Sequence, residues 1–214
     1  MSKPAGAFGA WLDAMQAVLR GQQDADVPCD GCVGCCVSSY PIPLRPDDRV
    51  ALEQVPDRYL QLPVGPGTAR MGYREDGSCP MLLDNHCTIY ADRPRTCRDY
   101  DCRIYAATDL TPDGRRPVIQ ERVREWRFDF PSEEERAQAG ALRRAAHFIR
   151  SNAGLFPPGM RAHSATAIAV LAVKVWPLFT SETPTNEKGD GSEDPSPLEQ
   201  ARRVLEAARA FDSL

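Results

Sequence analysis

Lysine and histidine are scarce in this chain, with three of each among 214 residues. No run of 18 apolar residues occurs, so nothing in the sequence reads as a membrane span. The first residues offer Lys3, no apolar run of seven or more and an early Asp13, which is not a secretory pattern, so a cytosolic location is expected. A concentrated basic face is also lacking. The net charge is −4, and residues 180–199 account for it: Glu182, Glu187, Asp190, Glu193, Asp194 and Glu199 stand there against Lys188. The remainder is close to neutral, which argues against a nucleic-acid partner. The sequence has no Gly-rich nucleotide fingerprint, no phosphate loop, no C-x3-C-x2-C run and no Ser–His–Asp pattern that can be placed. No residue is therefore assigned a catalytic role, and whether the chain is an enzyme stays open.

The most informative absence is that of cysteine. Outside residues 29–102, 140 residues contain none, whereas the 74 between hold all eight. They read Cys29-x2-Cys32-x2-Cys35-Cys36 and then Cys79-x7-Cys87-x9-Cys97-x4-Cys102. Thiolate is the softest protein ligand and selects zinc, copper(I) or iron–sulfur centres. In a reducing compartment a disulfide framework is disfavoured, which leaves metal or redox chemistry. Close spacing of Cys29, Cys32 and Cys35 lets one stretch of backbone present several ligands, and Gly31 and Gly34 permit the tight turns. Adjacent side chains usually diverge, so Cys35 and Cys36 leave two arrangements open: two four-thiolate sites, or one site plus spare thiols. Joining Cys36 to Cys79 closes a 42-residue interval, at about 3 kcal/mol plus a constant in chain entropy. Structural zinc contributes roughly 10–16 kcal/mol in small peptides and readily offsets that.

The periodicity divides the chain. Phe8, Trp11, Leu12, Met15, Val18 and Leu19 predict a helix within 5–21, ended by Gly21. Residues 27–105 are rich in turn formers, with short helices from Pro46 to Glu53 and within Tyr90–Tyr100. Val123, Trp126, Phe128 and Phe130 give the alternation of a half-buried strand within 117–130. Ser132 and Glu135 form a capping-box signal for a helix to about Asn152. Ile168–Trp176, after a cap candidate at Ser164, reads as a buried helix, with a buried strand left open because periodicity is silent in an all-apolar run. Residues 180–197 read as a disordered linker, and Ser196-Pro197 opens a final helix carrying Leu198, Val204, Leu205, Ala208 and Phe211.

The expected fold is α+β and mainly helical: a loop-rich, metal-stapled cysteine domain with short helices, one or two strands and a helical C-terminal part. The expected divisions are an N-terminal helix over 1–26, the cysteine domain over 27–105, a strand and helical accessory region over 106–179 packed on it, the linker over 180–197 and the last helix over 198–214.

Around the second cysteine group stand Gly77-Ser78-Cys79-Pro80-Met81-Leu82, Cys87-Thr88-Ile89-Tyr90 and Arg93-Pro94-Arg95-Thr96-Cys97-Arg98-Asp99-Tyr100-Asp101-Cys102. With the upstream CxxCxxCC run, this pattern closely resembles the YkgJ-type cysteine-cluster proteins, a family named for zinc or iron chelation that includes relatives of flagellin lysine methylase. The resemblance covers about residues 28–105, with all eight cysteine positions present, and says nothing of 106–214. It implies a metal centre rather than a known reaction. The residues nominated as metal ligands are Cys29, Cys32, Cys35, Cys36, Cys79, Cys87, Cys97 and Cys102. Arg93 and Arg98 are nominated to balance thiolate charge or donate to sulfur; Arg95 could do the same, and each could instead pair with Asp92, Asp99 or Asp101. Tyr90 and Tyr100 read as packing residues. His86, beside Cys87, is a weaker ligand candidate. Zinc explains closed four-thiolate sites; Cys29, Cys32 and Cys35 with a distant Cys79 slightly favour a four-iron cluster for one site. The leading reading is a metal-binding module whose helical region contacts an unidentified protein partner. An enzyme related to protein lysine methylases and a thiol–disulfide redox protein are the alternatives.

Overall fold

The computed structural model describes residues 2–213 except 30, 41, 66, 67, 115 and 181–194. The stretch read as a linker lies mostly outside the described residues. In chain order the elements are β1 (Lys3–Ala7), α1 (Phe8–Leu19), β2 (Ile42–Leu44), α2 (Arg49–Gln54), β3 (Leu60–Gly65) and β4 (Thr68–Met71). Next come β5 (Leu82–Leu83), β6 (His86–Cys87), α3 (Arg95–Arg98), α4 (Arg103–Thr108), α5 (Pro117–Glu125) and β7 (Trp126–Asp129). The chain closes with α6 (Glu133–Ser151), α7 (Ala165–Val175) and α8 (Pro197–Asp212). The class is α+β and mainly helical. The strands are more numerous than expected and very short, arranged in three small sheets among the described residues. No helix among them is long and apolar enough to cross a membrane.

Two compact units form. Unit 1 is Met1–Gln23, Arg103–Gly114 and Val123–Leu214; unit 2 is Asp24–Cys102 with Arg115–Arg122. All eight cysteines belong to unit 2.

Unit 1 is a helical layer with a two-stranded edge. The apolar stripe of α1 buries Phe8, Trp11, Leu12, Met15 and Val18, as its three- and four-residue spacing requires. It meets α6 and α7, whose Ala145, Ala146, Ala169 and Ala172 are fully buried; small side chains let helices approach closely. The strand in 117–130 is shorter than the alternation suggested: Pro117–Glu125 is helical, and only Trp126–Asp129 is extended. It pairs in parallel with β1, Lys3 against Trp126 and Ala7 against Asp129. Phe8 then stacks on Phe130 and meets Phe128 edge-on, at 5.6 and 5.4 Å between centroids. Ser132 caps α6 by accepting from Glu135 N. The Glu135 carboxylate turns elsewhere, accepting from Gly9 N at 3.0 Å, so it caps the start of α1. Leu198 of α8 is half exposed, whereas Ala201, Val204 and Phe211 are buried.

Unit 2 is built on the β2–β4–β3 sheet. Its core is Leu44, Ala51, Val55, Ala69, Met71, Met81 and Ile89, with Cys79 and Cys87 packed at the edge. That core is small, and the cysteine loops lie around it.

Candidate metal centre

The first cysteine run is a chain of tight turns. Cys32 N donates to Cys29 O at 2.8 Å and Cys36 N to Val33 O at 2.8 Å. Gly31 has φ +74, a conformation that a side chain disfavours. The amide of Gly34 donates to Cys32 Sγ at 3.4 Å, the kind of contact that stabilises thiolate charge.

The second run is drawn to the first by backbone pairing. Cys79 N donates to Cys36 O at 2.6 Å, and Ser39 N to Gly77 O at 3.2 Å. These bonds close the 42-residue interval. Gly77, at φ +82, is required here: a Cβ would stand 2.4 Å from Ser39 Oγ. Asp76 accepts from Ser78 N and Ser78 Oγ at 2.8 and 2.6 Å, and these bonds hold its carboxyl below the usual range. Arg74 spans the turn, donating to Pro80 O and Leu82 O, each at 2.8 Å. From Cys79 the chain enters the β5–β6 hairpin, in which Asp84 and Asn85 take φ 47 and 60, the conformation of a two-residue hairpin turn. The hairpin sets Cys87 opposite Leu82. His86 is exposed and its Nδ1 lies 2.7 Å from Asp84 O; as a strand neighbour of Cys87 it points to the opposite face.

Cys97 rides on α3, a single turn that Asp48 fixes from a distance. Asp48 is 5% exposed and accepts from Arg45 N at 2.8 Å and Arg95 N at 2.7 Å. Cys102 closes the segment just before α4, half-buried.

Two neighbouring sulfurs are in contact. Cys35 Sγ and Cys36 Sγ lie 3.9 Å apart, where divergence was expected; this is close to the edge of a tetrahedron of sulfurs about 2.3 Å from one ion, about 3.8 Å. The Cys36 thiol shares its proton with the Cys35 and Cys79 sulfurs, which raises its own pKa and lowers those of Cys35 and Cys79 to about 7. Burial raises Cys97 to about 12, helped by the charges of Cys35, Cys79 and Cys87. Burial and then Cys79 and Cys35 raise Cys87, and Arg93 opposes them. Cys29 is pushed to about 11 by burial, then by Cys35, Cys32 and Asp101. Cys29, Cys35, Cys36, Cys79, Cys87 and Cys97 thus each respond to other sulfurs of the set. Among the described residues, no group of three or more His, Cys, Asp or Glu side chains is placed to hold a metal ion.

Of the nominated arginines, Arg93 lies over the Tyr90 ring at 4.0 Å, and its charge lowers both Cys87 and Cys97. Arg98 lies 3.7 Å from Asp24. Arg95 pairs with Asp99 at 2.6 Å. Tyr90 is 65% exposed and supports Arg93 rather than a core; Tyr100 packs on Tyr40 at 5.6 Å. The donor set fits a thiophilic metal: soft sulfurs crowd together, and the cations Arg74, Arg93 and Arg122 only partly offset their charge.

Residues 28–122 match the family model CxxCxxCC, described as "Putative zinc- or iron-chelating domain". This stretch is similar to that family's domain. The match supports metal binding by the unit, in agreement with the resemblance carried by the cysteine spacing. The matched stretch runs 20 residues beyond its last cysteine, Cys102, and ends where unit 2 ends. Within it, the side chains of Val118 and Ile119 approach Gly34, whose built Cβ would meet them at 3.3 and 3.4 Å. Arg116 Nε donates to Ser38 O at 3.0 Å, and its guanidinium lies 4.0 Å over the Tyr40 ring. Arg116, Val118 and Ile119 therefore brace the first cysteine run. Sequence reasoning missed them, and also Asp48 and Arg74, since only Ile119, Val118 and the family match mark that stretch. No curated protein and no solved structure matches the chain.

Proposed function

We propose that unit 2 holds zinc or iron through thiolates drawn from Cys29, Cys32, Cys35, Cys36, Cys79, Cys87, Cys97 and Cys102. One observation carries this reading: Cys36 meets Cys35 sulfur to sulfur at 3.9 Å and accepts from Cys79 N at 2.6 Å, which joins the two cysteine runs across 42 residues of intervening chain. Such crowding of titratable sulfurs is costly in an empty protein and favourable around a cation. Zinc would act as a structural cross-link, whereas a four-iron cluster would supply one-electron transfer. For one site the cluster is favoured, on the series Cys29, Cys32 and Cys35 with Cys79. Arg93 would offset thiolate charge on the Cys87 and Cys97 side.

The test is metal analysis and an optical spectrum of protein purified without oxygen. Stoichiometric zinc or iron is expected; broad absorption near about 400 nm would assign iron–sulfur. Protein that carries neither metal and titrates all eight thiols freely would overturn the reading and promote thiol redox chemistry.

A further inference from the structure

Unit 1 contains an open cavity of about 450 Å³, within the range typical of small-molecule sites. Thr108, Asp109 and Leu110 after α4, Arg143, Arg144, His147, Phe148 and Arg150 of α6, and Phe179 line it. We propose that this cavity binds a small amphipathic anion, a phosphate or carboxylate head on an aromatic or aliphatic body.

Arg143, His147 and Arg150 follow one another at four- and three-residue steps, so α6 presents them on one face. Arg143 and Arg150 are exposed and make no ion pair or hydrogen bond among the described residues. Arg144 is held in place: Nε and Nη2 donate to Phe179 O at 3.0 and 2.8 Å. Gly140, one turn earlier, leaves room for that guanidinium, since a Cβ there would stand 3.2 Å from Nη1. Three guanidinium groups face a single acid, Asp109. Arg143 and Arg150 each present a planar fork that matches two oxygens of a phosphate or carboxylate, and Arg144 adds its charge. The floor is apolar: Phe148 and Phe179 pack at 5.6 Å between centroids, and Leu110 is buried beside them. A free inorganic ion would use the rim and leave this floor wet, so the ligand carries an apolar body.

Isothermal titration of the full chain, metal content as purified, with 1-naphthyl phosphate tests this. Saturable binding is expected at millimolar concentration or below. Inorganic phosphate and 1-naphthol should each bind at least about tenfold more weakly, a difference of one decade in Kd. R143Q/R150Q should lose at least about tenfold in affinity, and R143K/R150K, which keeps the charge but not the planar fork, should recover only part of it, with metal content and thermal melting unchanged in both because these side chains are exposed. Absence of saturable binding, equal binding of inorganic phosphate, or undiminished binding by R143Q/R150Q would overturn the proposal. Metal content is read in the same samples, so failure here is distinguishable from failure of the metal centre.

Discussion

Cys36 sits between two other sulfurs, and its side chain is the junction of the two cysteine runs. Cys97 reaches the same group from a separate helical turn, and Cys32 receives a backbone amide. Replacing Cys32 or Cys97 by Ser should lower metal per chain, with affinity reduced by more than about tenfold, since even indirect supports of a ligand are worth that much. Elemental analysis of the purified variants checks this; both keeping full metal would show that the ligands lie elsewhere. Arg74 makes a different contribution. Its two charge-assisted bonds to Pro80 O and Leu82 O hold the turn that carries Cys79. Arg74→Ala should cost about 1.5–3 kcal/mol of unfolding free energy, read from urea titration of the metal-loaded protein, with Arg74→Lys recovering part.

Short elements carry the ligands, and none is stable alone. α3 is four residues long and the β5–β6 hairpin pairs two residues on each side, far below what isolated elements need in water. Asp48 compensates by accepting from the backbone at both Arg45 and Arg95. Asp48→Ala leaves two donors unpaired and should destabilise the unit by about 2–4 kcal/mol, taking each as a lost helix or turn cap of the upper range. Loss of protection at the Arg95 amide in hydrogen exchange would localise the effect; unchanged stability would contradict it. The elements read correctly from sequence are those whose signal is local. Helical spacing identified α1, Ser132 and Ser164 marked the starts of α6 and α7, and cysteine spacing marked the candidate ligands. What escaped was non-local. β1 contains Pro4 and Gly6, poor strand formers, and is extended because β7, far along the chain, pairs with it, Lys3 against Trp126. Asp48 looked like a helix start, which gave no hint of its bond to Arg95 N. Glu135 matched a capping box, yet its carboxylate found Gly9 N. The alternation at Trp126, Phe128 and Phe130 was real but did not extend into Pro117–Glu125.

At the scale of the whole molecule, the chain separates its chemistry from its apolar bulk. Unit 1 has the long helices and no cysteine; unit 2 has a small core and every thiol. α8 belongs to unit 1, where Val204 and Ala201 are fully buried and Phe211 lies beneath Arg20 at 4.1 Å. Deleting residues 180–214 should therefore destabilise unit 1 by several kcal/mol, at about 1.5–3 kcal/mol for each large apolar side chain uncovered. The ratio of metal to protein should stay unchanged. Differential scanning calorimetry with parallel metal analysis checks both halves, and loss of metal on this deletion would show that the last helix shields the centre.

X-ray absorption at the metal edge of protein isolated without oxygen examines the thiolate centre most directly. A first shell dominated by sulfur at about 2.3 Å is expected, and it should weaken in Cys97→Ser. A first shell of only oxygen or nitrogen, or no bound zinc or iron at all, would contradict the account.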